Sequence, residues 1–288
     1  MPLHLAKHSG SLEHPYHFWL GYFIPICDWL LRNPESRSNT VVECGPMTPW
    51  LENLNALREV SLVKPRTALT LHLRGQENVE SNIFEDLDDP RNFSRNEGLN
   101  NVQELKRVFF PGSEPNSESM GIGILQRNSS LPFYNSAQSE SKGSGAERRS
   151  IPNINELMVL LGTEARTSII DTSEMSPNDS VSIYSNLNVL VGQYGAGLTN
   201  MVWMPKGSLV IELRGPGRLF LEPWDDCYKL LAGLLGHRFE VLQVQENWHS
   251  PIDSERVGKQ IMNLVRSSSS SSPSFSFKDF AKKNWKKS

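Results

Sequence analysis

Residues 188–213, NVLVGQYGAGLTNMVWMPKGSLVIEL, contain two short apolar runs with a glycine-rich turn between them. The run 189–192 predicts a buried β-strand, and 208–213 predicts a second one. Gly195-Ala196-Gly197 predicts a tight turn that opens a short helix. The order strand, turn, helix, strand is typical of the α/β class, so this stretch decides the expected fold.

The same alternation extends along the rest of the chain. The predicted strands are 40–44, 68–74, 108–111, 121–127, 167–171 and 239–244, and the predicted helices are 15–32, 50–57, 153–161, 176–186, 226–235 and 254–265. Pro25 should bend or restart the first helix, and Pro177 suits the first position of a helix. The alternation predicts the α/β class, with parallel sheets and helices on both of their faces.

Length, charge and cysteine content exclude several classes. With 288 residues, the chain is long enough for two domains of about 100–150 residues. A net charge of −3 argues against a broad nucleic-acid-binding face, so we expect no nucleic acid partner. Cys27, Cys44 and Cys227 lack the spacing of a zinc site. They form either one disulfide and one thiol or three buried thiols, and we favour three thiols.

The N-terminal region bears on localisation. The first fifteen residues are polar, and the apolar run 17–31 contains Asp28 and is too short to span a bilayer. Either the protein is soluble as written or this sequence lacks an N-terminal membrane anchor. Asn92, Asn128 and Asn178 begin N-x-[ST] sequons, which fit a secretory setting but also arise by chance in a chain rich in Ser and Asn.

The glycine-rich turn has two interpretations. In an open parallel sheet, ligands bind beyond the carboxyl ends of the strands. Gly195 and Gly197 let the backbone approach a ligand, and the next helix presents N–H groups that stabilise a diphosphate. The same turn also suits close packing of a helix on a strand. The glycine spacing matches neither the dinucleotide fingerprint nor a Walker loop.

Three segments carry a resemblance to a known family. Residues 189–213 resemble the hallmark of glycosyltransferase family 61, V-L-[IV]-G-x-H-G-A-G-L-T-N-x-x-F-[ML]-P-x-G-[ST]-x-V-[IV]-E-[IL]. ILQRNSS at 124–130 resembles a family strand that ends in a donor-site Arg, and RRSIPNINEL at 148–157 resembles R-R-x-[IL]-x-N-x-x-E-[LV]. HPYHFWLGYFIPICDWLL at 14–31 resembles N-x-x-H-x-x-x-D-x-x-[IL]-P-L-[FY], with His17 and Pro25 in step.

The resemblance implies a GT-B fold, in which two Rossmann-like lobes face each other. The family includes plant xylosyl- and arabinosyltransferases and animal transferases of the O-GlcNAc type in the secretory pathway. For this chain it implies transfer of a sugar from a UDP-sugar donor to a glycan or glycoprotein acceptor, with inversion. It further implies no metal, no cofactor besides the donor substrate, and a Golgi or endoplasmic reticulum location.

The resemblance also places the donor site. Arg127 and Arg149 would neutralise the diphosphate, since Arg offers two parallel donors to a phosphate, and Glu212 would accept hydrogen bonds from sugar hydroxyls. The alternatives are surface arginines and a solvated glutamate at the rim. The full set of donor-binding candidates is Arg127, Arg149, Tyr194, Gly195, Ala196, Gly197, Leu198, Thr199, Asn200 and Glu212.

The chain departs from the family at positions near the presumed chemistry. Tyr194 replaces the His of H-G-A-G, and Gly21 replaces an acidic residue. Inverting transfer needs a base for the acceptor hydroxyl, and tyrosine, with a pKa of about 10, is a poor base at neutral pH. Its hydroxyl would still donate to a phosphate. His17 is then the candidate base, with a helix-capping structural histidine as the alternative.

Three hypotheses follow for the function. The chain is an active glycosyltransferase that uses His17, a catalytically inactive relative that binds a sugar nucleotide or glycan, or a structural α/β domain without a ligand. We favour the active enzyme.

The predicted division of the chain into domains is an acceptor-side lobe at 1–115 with an abridged fold, a donor-binding lobe at 116–266 and a disordered Ser/Lys-rich tail at 267–288. Asp86-Leu87-Asp88 has the form of a metal-binding triplet but lies in a polar insert, so we expect no metal site there.

Overall fold

The computed structural model describes residues 2–4, 15–36, 41–44, 64–67, 87, 89–113, 121–127, 149–172, 175–217 and 224–268. Contacts group the chain into two compact units. The first comprises Met1–Glu114, Asn128–Arg148 and Thr172–Ile183, and the second comprises Pro115–Arg127, Arg149–Asp171 and Tyr184–Ser288. The first segment of the first unit ends at Glu114, next to the predicted boundary at 115/116. The other two segments, Asn128–Arg148 and Thr172–Ile183, fall inside the predicted donor-binding lobe at 116–266.

The second unit contains a five-stranded sheet in which all strands are parallel. Its strands are β4 (Gly121–Gln126), β5 (Thr167–Asp171), β6 (Leu187–Gln193), β7 (Leu209–Arg214) and β8 (Arg238–Gln243), and their order is β5-β4-β6-β7-β8. The helices of this unit are α5 (Ile154–Gly162), α7 (Cys227–Leu235) and α8 (Ser254–Ser268), whereas most of α6 (Pro177–Ser185), which lies between β5 and β6 in the sequence, belongs to the first unit. The prediction of an α/β fold with a parallel, Rossmann-like sheet is confirmed.

Both faces of this sheet are buried, as expected of a parallel sheet. Apolar residues two positions apart on β4, β6 and β7 face α5 and α8. This core comprises Ile122, Ile124, Ile154, Leu157, Leu161, Val189, Val191, Leu209, Ile211, Leu213, Val257, Ile261 and Met262. On the opposite face, Leu190 and Val210 are fully buried, as are residues of a 3₁₀-helix at Ala196–Trp203.

The strand order creates one position where the direction of winding reverses. The chain adds β5 on one side of β4, and then β6, β7 and β8 in succession on the other side. Ligands of open α/β sheets bind at such a switch point, beyond the carboxyl ends of the strands. Here the switch point lies between β4 and β6, which end at Gln126 and Gln193.

The first unit contains a three-stranded parallel sheet and a group of helices. Strands β1 (Pro2–His4), β2 (Val41–Cys44) and β3 (Lys64–Thr67) pair in sequence order. The helical elements are α1 (Pro15–His17), a π-helix (Phe18–Phe23), α2 (Ile24–Arg32), 3₁₀-helices at Pro34–Ser36 and Pro90–Arg95, α3 (Glu97–Asn100) and α4 (Val102–Phe109). The two-lobed GT-B arrangement stays a prediction.

Pro25 explains why the predicted helix at 15–32 changes form. In the π-helix, the N–H of Ile24 donates to the carbonyl of Trp19, five residues back. With the same spacing, the carbonyl of Leu20 would accept a hydrogen bond from the N–H of residue 25, but residue 25 is a proline and has no N–H. The side chain of Asn96 donates to the Leu20 carbonyl instead, at 2.8 Å. The predicted restart at Pro25 is confirmed.

The predicted strand at 108–111 is wrong, because those residues end helix α4. Val102, Leu105 and Phe109 are buried and share one face of that helix.

Asp28 on α2 is also buried, and it pairs with Arg32 at 2.6 Å and accepts a hydrogen bond from Asn101. The helix predicted at 50–57, the strand at 68–74 and the tail beyond Ser268 lie outside the described residues.

Two further findings concern cysteines and membranes. Cys27 and Cys227 are free and buried, and burial raises the pKa of the Cys227 thiol to about 12. The side chain of Cys44 lies outside the described part of the chain.

None of the helices that the structure describes is long and apolar enough to cross a membrane.

Candidate active site at the switch point of the sheet

Arg127 and Gly195 meet at the switch point. Arg127 directly follows β4, and its Nη2 donates a hydrogen bond of 3.2 Å to the carbonyl oxygen of Tyr194, the residue after β6. A Cβ atom on Gly195 would lie 1.6 Å from that Nη2. The sequence predicted that a ligand approaches the backbone at this glycine, and in the structure the guanidinium group of Arg127 lies there.

Arg149 reaches the same sheet edge from the segment before α5. It is only 5% exposed, and its guanidinium carbon lies 5.5 Å from the ring centre of Tyr194 and 5.9 Å from that of Trp248. A cation over an aromatic face is attracted by the ring's electrons. The predicted alternative of a surface arginine therefore does not apply to Arg149. Its neighbour Arg148 lies outside the described residues.

The two arginines act on a common neighbour, Tyr228. Burial raises the pKa of the Tyr228 hydroxyl well above its usual value, and the positive charges of Arg127 and Arg149 both oppose that increase. Both guanidinium groups are therefore close enough to Tyr228 to act on it electrostatically. The switch point carries two positive charges, which is the electrostatic environment that a diphosphate requires.

The sequence predicted that the hydroxyl of Tyr194 donates a hydrogen bond to a phosphate, and in the structure that hydroxyl has another partner. Its hydroxyl donates a 2.6 Å hydrogen bond to the carbonyl of Trp224 and lies 3.4 Å from Sγ of Cys227. Burial raises the pKa of this hydroxyl far above its usual value. The structure thus directs its only proton to the main chain rather than to a ligand. Tyr194 borders the site through its carbonyl and its ring, which holds Arg149.

The helix after the turn is a 3₁₀-helix at Ala196–Trp203. Leu198 and Thr199 are fully buried, and the amide of Asn200 donates to the carbonyl of Gly197 at 3.1 Å. The predicted contacts of Thr199 and Asn200 with a diphosphate thus involve side chains that the fold turns inward. Ala196 and Gly197 are half-buried at the edge of the sheet.

Glu212 lies in β7 opposite Gly192 of β6 and is 1% exposed. Burial raises its pKa, and an ion pair with Nε of Arg214 opposes that increase. Arg214 also contacts Asp225, whose carboxylate is 3.3 Å from Nη1 and whose carbonyl is 3.2 Å from Nη2. The alternative of a solvated glutamate at the rim is wrong, because Glu212 is buried and paired. Its role in binding the donor stays a prediction.

His17, the predicted base, lies in the first unit. It is half-buried at the end of α1, and its ring meets that of Tyr16 edge-on at 5.2 Å. Its side chain makes no helix-capping hydrogen bond, which argues against the alternative role as a cap. Gly21, at the position of the family's acidic residue, lies buried within the π-helix. The role of His17 stays a prediction.

Only part of the acidic segment at 86–89 lies within the described residues. Asp86 and Asp88 lie outside the described residues. Asp89 caps the 3₁₀-helix at Pro90–Arg95 and pairs with Arg91. Within the described ranges, no group of three or more His, Cys, Asp or Glu side chains is arranged to hold a metal ion.

Sequence reasoning missed several residues around the site. Gln193 and Gln245 are buried and bonded to each other, Trp248 covers Arg149, and Arg214 pairs with Asp225. The alternation in the run Glu212-Leu213-Arg214 was an available signal, since residues two apart on a strand share a face. No comparable signal marked the two glutamines, which are 52 positions apart.

Comparison with known proteins gives one family. The sequence model of the family described as Glycosyltransferase 61 matches residues 58–211, which is more than half of the chain. The match includes Arg127, Arg149 and the whole glycine-rich turn. No curated protein shows significant similarity to this sequence.

Proposed function

This chain belongs to glycosyltransferase family 61 and is a glycosyltransferase, and we propose that a UDP-sugar is its donor. The transferred sugar is xylose, arabinose or N-acetylglucosamine, and the acceptor is a hydroxyl of a glycan or protein. The transfer inverts the anomeric configuration and needs no metal. We place the enzyme in the Golgi or endoplasmic reticulum.

The observation that carries the proposal is the pair of arginines at the switch point. Arg127 and Arg149 come from separate segments, and both contact Tyr194: Nη2 of Arg127 donates to its carbonyl at 3.2 Å, and the guanidinium carbon of Arg149 lies 5.5 Å from its ring centre. A leaving UDP carries negative charge that must be stabilised as the bond to the sugar breaks. Two guanidinium groups beside the main chain of the turn would supply that stabilisation, in the role that a divalent cation has in metal-dependent transferases.

The remaining requirement is a base for the acceptor hydroxyl. We assign it to His17, since histidine is the side chain whose usual pKa lies nearest neutral pH. Tyr194 cannot serve, because its proton is directed to the carbonyl of Trp224 and burial raises its pKa. Glu212 would orient the donor only if its pairing with Arg214 left one carboxylate oxygen for a sugar hydroxyl.

A second candidate function is binding of a sugar nucleotide or glycan without turnover. Two observations favour it: Gly21 supplies no carboxylate, and the hydroxyl of Tyr194 is already engaged. In this alternative the two arginines still bind the donor. A radiolabelled transfer assay with the three sugars and a mixture of glycan acceptors separates the candidates, because only the enzyme releases UDP and labels the acceptor.

Calorimetric titration with UDP and a panel of UDP-sugars tests the donor site. We expect micromolar binding, reduced about tenfold to a hundredfold by Arg127→Ala, because a hydrogen bond to a charged group is lost. Arg266→Ala is the matched control, since Arg266 is an exposed residue in the last turn of α8, at the opposite end of that helix from the segment that follows β8. Equal binding by the two variants, or no nucleotide binding by the folded wild-type protein, would overturn the assignment.

A further inference from the structure

A chain of amide hydrogen bonds joins the ends of β6 and β8 to the segment that carries Arg149. Nε2 of Gln193 donates to Oε1 of Gln245 at 2.7 Å, and the same amide lies 3.3 Å from the carbonyl of Ser150 and 3.4 Å from that of Trp248. Nε2 of Gln245 donates to the carbonyl of Ser150 at 3.0 Å and to that of Ser250. Both glutamines are buried.

The amides of this network have only one possible orientation. Two carbonyl oxygens, those of Ser150 and Ser250, face the Nε2 end of Gln245. Turning that amide around would place oxygen against oxygen, so Oε1 of Gln245 must face Gln193. Gln193 must then present its NH₂ group. Neither glutamine can exchange its donor and acceptor ends without losing hydrogen bonds inside the core.

The segment that carries Arg149 is fixed at further points. The N–H of Ser150 donates to the carbonyl of Trp248 at 2.9 Å. Asn153 donates to the carbonyl of Ile252 and accepts from its N–H, at 2.9 and 3.0 Å. The main chain on the C-terminal side of Arg149 is therefore bonded to the residues between β8 and α8.

These bonds set the direction in which Arg149 leaves the main chain. The guanidinium carbon lies 5.5 Å from the ring centre of Tyr194 and 5.9 Å from that of Trp248. The carbonyls of Ser150 and Trp248 both accept from the glutamine network, so the bonds that fix the backbone also fix one of the two rings. A guanidinium held before a ligand arrives loses less entropy on binding, and this raises affinity.

We propose that Gln193 and Gln245 are positioning residues, which hold Arg149 in the orientation that binds the donor diphosphate. The proposal rests on the proposed function, because it takes a UDP-sugar as the ligand of Arg149. The glutamines do not touch the donor. Their effect on affinity passes entirely through Arg149.

A double-mutant cycle on UDP affinity tests this route. We expect Gln245→Met, which keeps the length of the side chain and removes its amide, to weaken UDP binding about fivefold to thirtyfold. Gln193→Met should act in the same direction and provides a second variant if the first does not fold. Gln260→Met, at a half-buried glutamine of α8, is the matched control and should bind UDP like the wild type.

The decisive comparison uses the Arg149→Ala background. If the glutamines act through Arg149, Gln245→Met or Gln193→Met costs no further UDP affinity once Arg149 is gone. Full additivity of the two losses, or wild-type affinity in both glutamine variants, would overturn the positioning role. Failure of the wild-type protein itself to bind UDP would instead count against the proposed function, so the two failures are distinguishable. Melting temperatures of every variant show that the titrated protein is folded.

Discussion

Two groups of arginines in the second unit differ in what balances their charge. Arg214 lies between the carboxylates of Glu212 and Asp225, so its charge is neutralised inside the fold. Arg127 instead donates to a main-chain carbonyl, and Arg149 lies over two aromatic rings, and none of these contacts carries a negative charge. We therefore expect Arg214 to act mainly on the stability of the fold, and Arg127 and Arg149, which lie at the switch point of the sheet, to act mainly on donor binding.

The largest effect should come from breaking the neutralised group. Arg214→Ala leaves the carboxylate of Glu212 buried without its cation, and removing one partner of a buried ion pair costs about 3–5 kcal/mol. Arg149→Ala should cost less, about 2 kcal/mol, because the contacts that it removes are those with the rings of Tyr194 and Trp248. Urea unfolding of both variants measures the difference. Equal losses of unfolding free energy would contradict the comparison.

The second prediction sets the pH window for these measurements. His237 is buried, its Nε2 lies 3.0 Å from the carbonyl of Met201, and burial lowers its pKa to about 4. An unfolded histidine titrates near 6.5, so the unfolded state takes up a proton first as the pH falls. Stability is therefore complete above about pH 6.5 and declines towards pH 4, by about 2 kcal/mol at pH 5.

Urea unfolding at pH 7.5 and pH 5 checks this decline, with His237→Gln as the comparison. The glutamine amide can still donate to the carbonyl of Met201 and does not titrate. We expect the variant to lose about 2 kcal/mol less than the wild type between these two pH values. An identical decline in both proteins would show that another group causes the acid sensitivity.

The third prediction tests the cationic group through its glycine. Gly195→Ala would put a methyl group where Nη2 of Arg127 now lies, so the guanidinium group must move. The displaced atoms form the end of a flexible side chain, but Gly195 has a φ of +157°, which strains a residue with a Cβ. We therefore expect lower stability together with about tenfold weaker UDP binding. Gly162→Ala is the control, because a Cβ there meets no atom within 4 Å. Unchanged affinity in Gly195→Ala would separate Arg127 from the donor site.

The same contrast shows which features a sequence can predict. The strands of the second unit and the position of Arg127 follow from local patterns, since a buried strand is a short apolar run and a strand-end residue lies at the sheet edge. The contact of Gln193 with Gln245 depends on how β6 and β8 end relative to each other, which no local pattern contains. Helix α4 was missed at 108–111 because three apolar residues have no measurable period, whereas Val102, Leu105 and Phe109 together do.

The smallest expected effect concerns the ring that covers Arg149. Gly215 follows β7, and a Cβ there would lie 2.7 Å from Cδ2 of Trp248. Gly215→Ala must therefore shift the indole and weaken, without removing, its contact with Arg149. We expect UDP binding to weaken about twofold to fivefold, with the fold intact. In the Arg149→Ala background the same substitution should leave UDP affinity unchanged, whereas a further loss there would mean that Trp248 acts on the donor without Arg149.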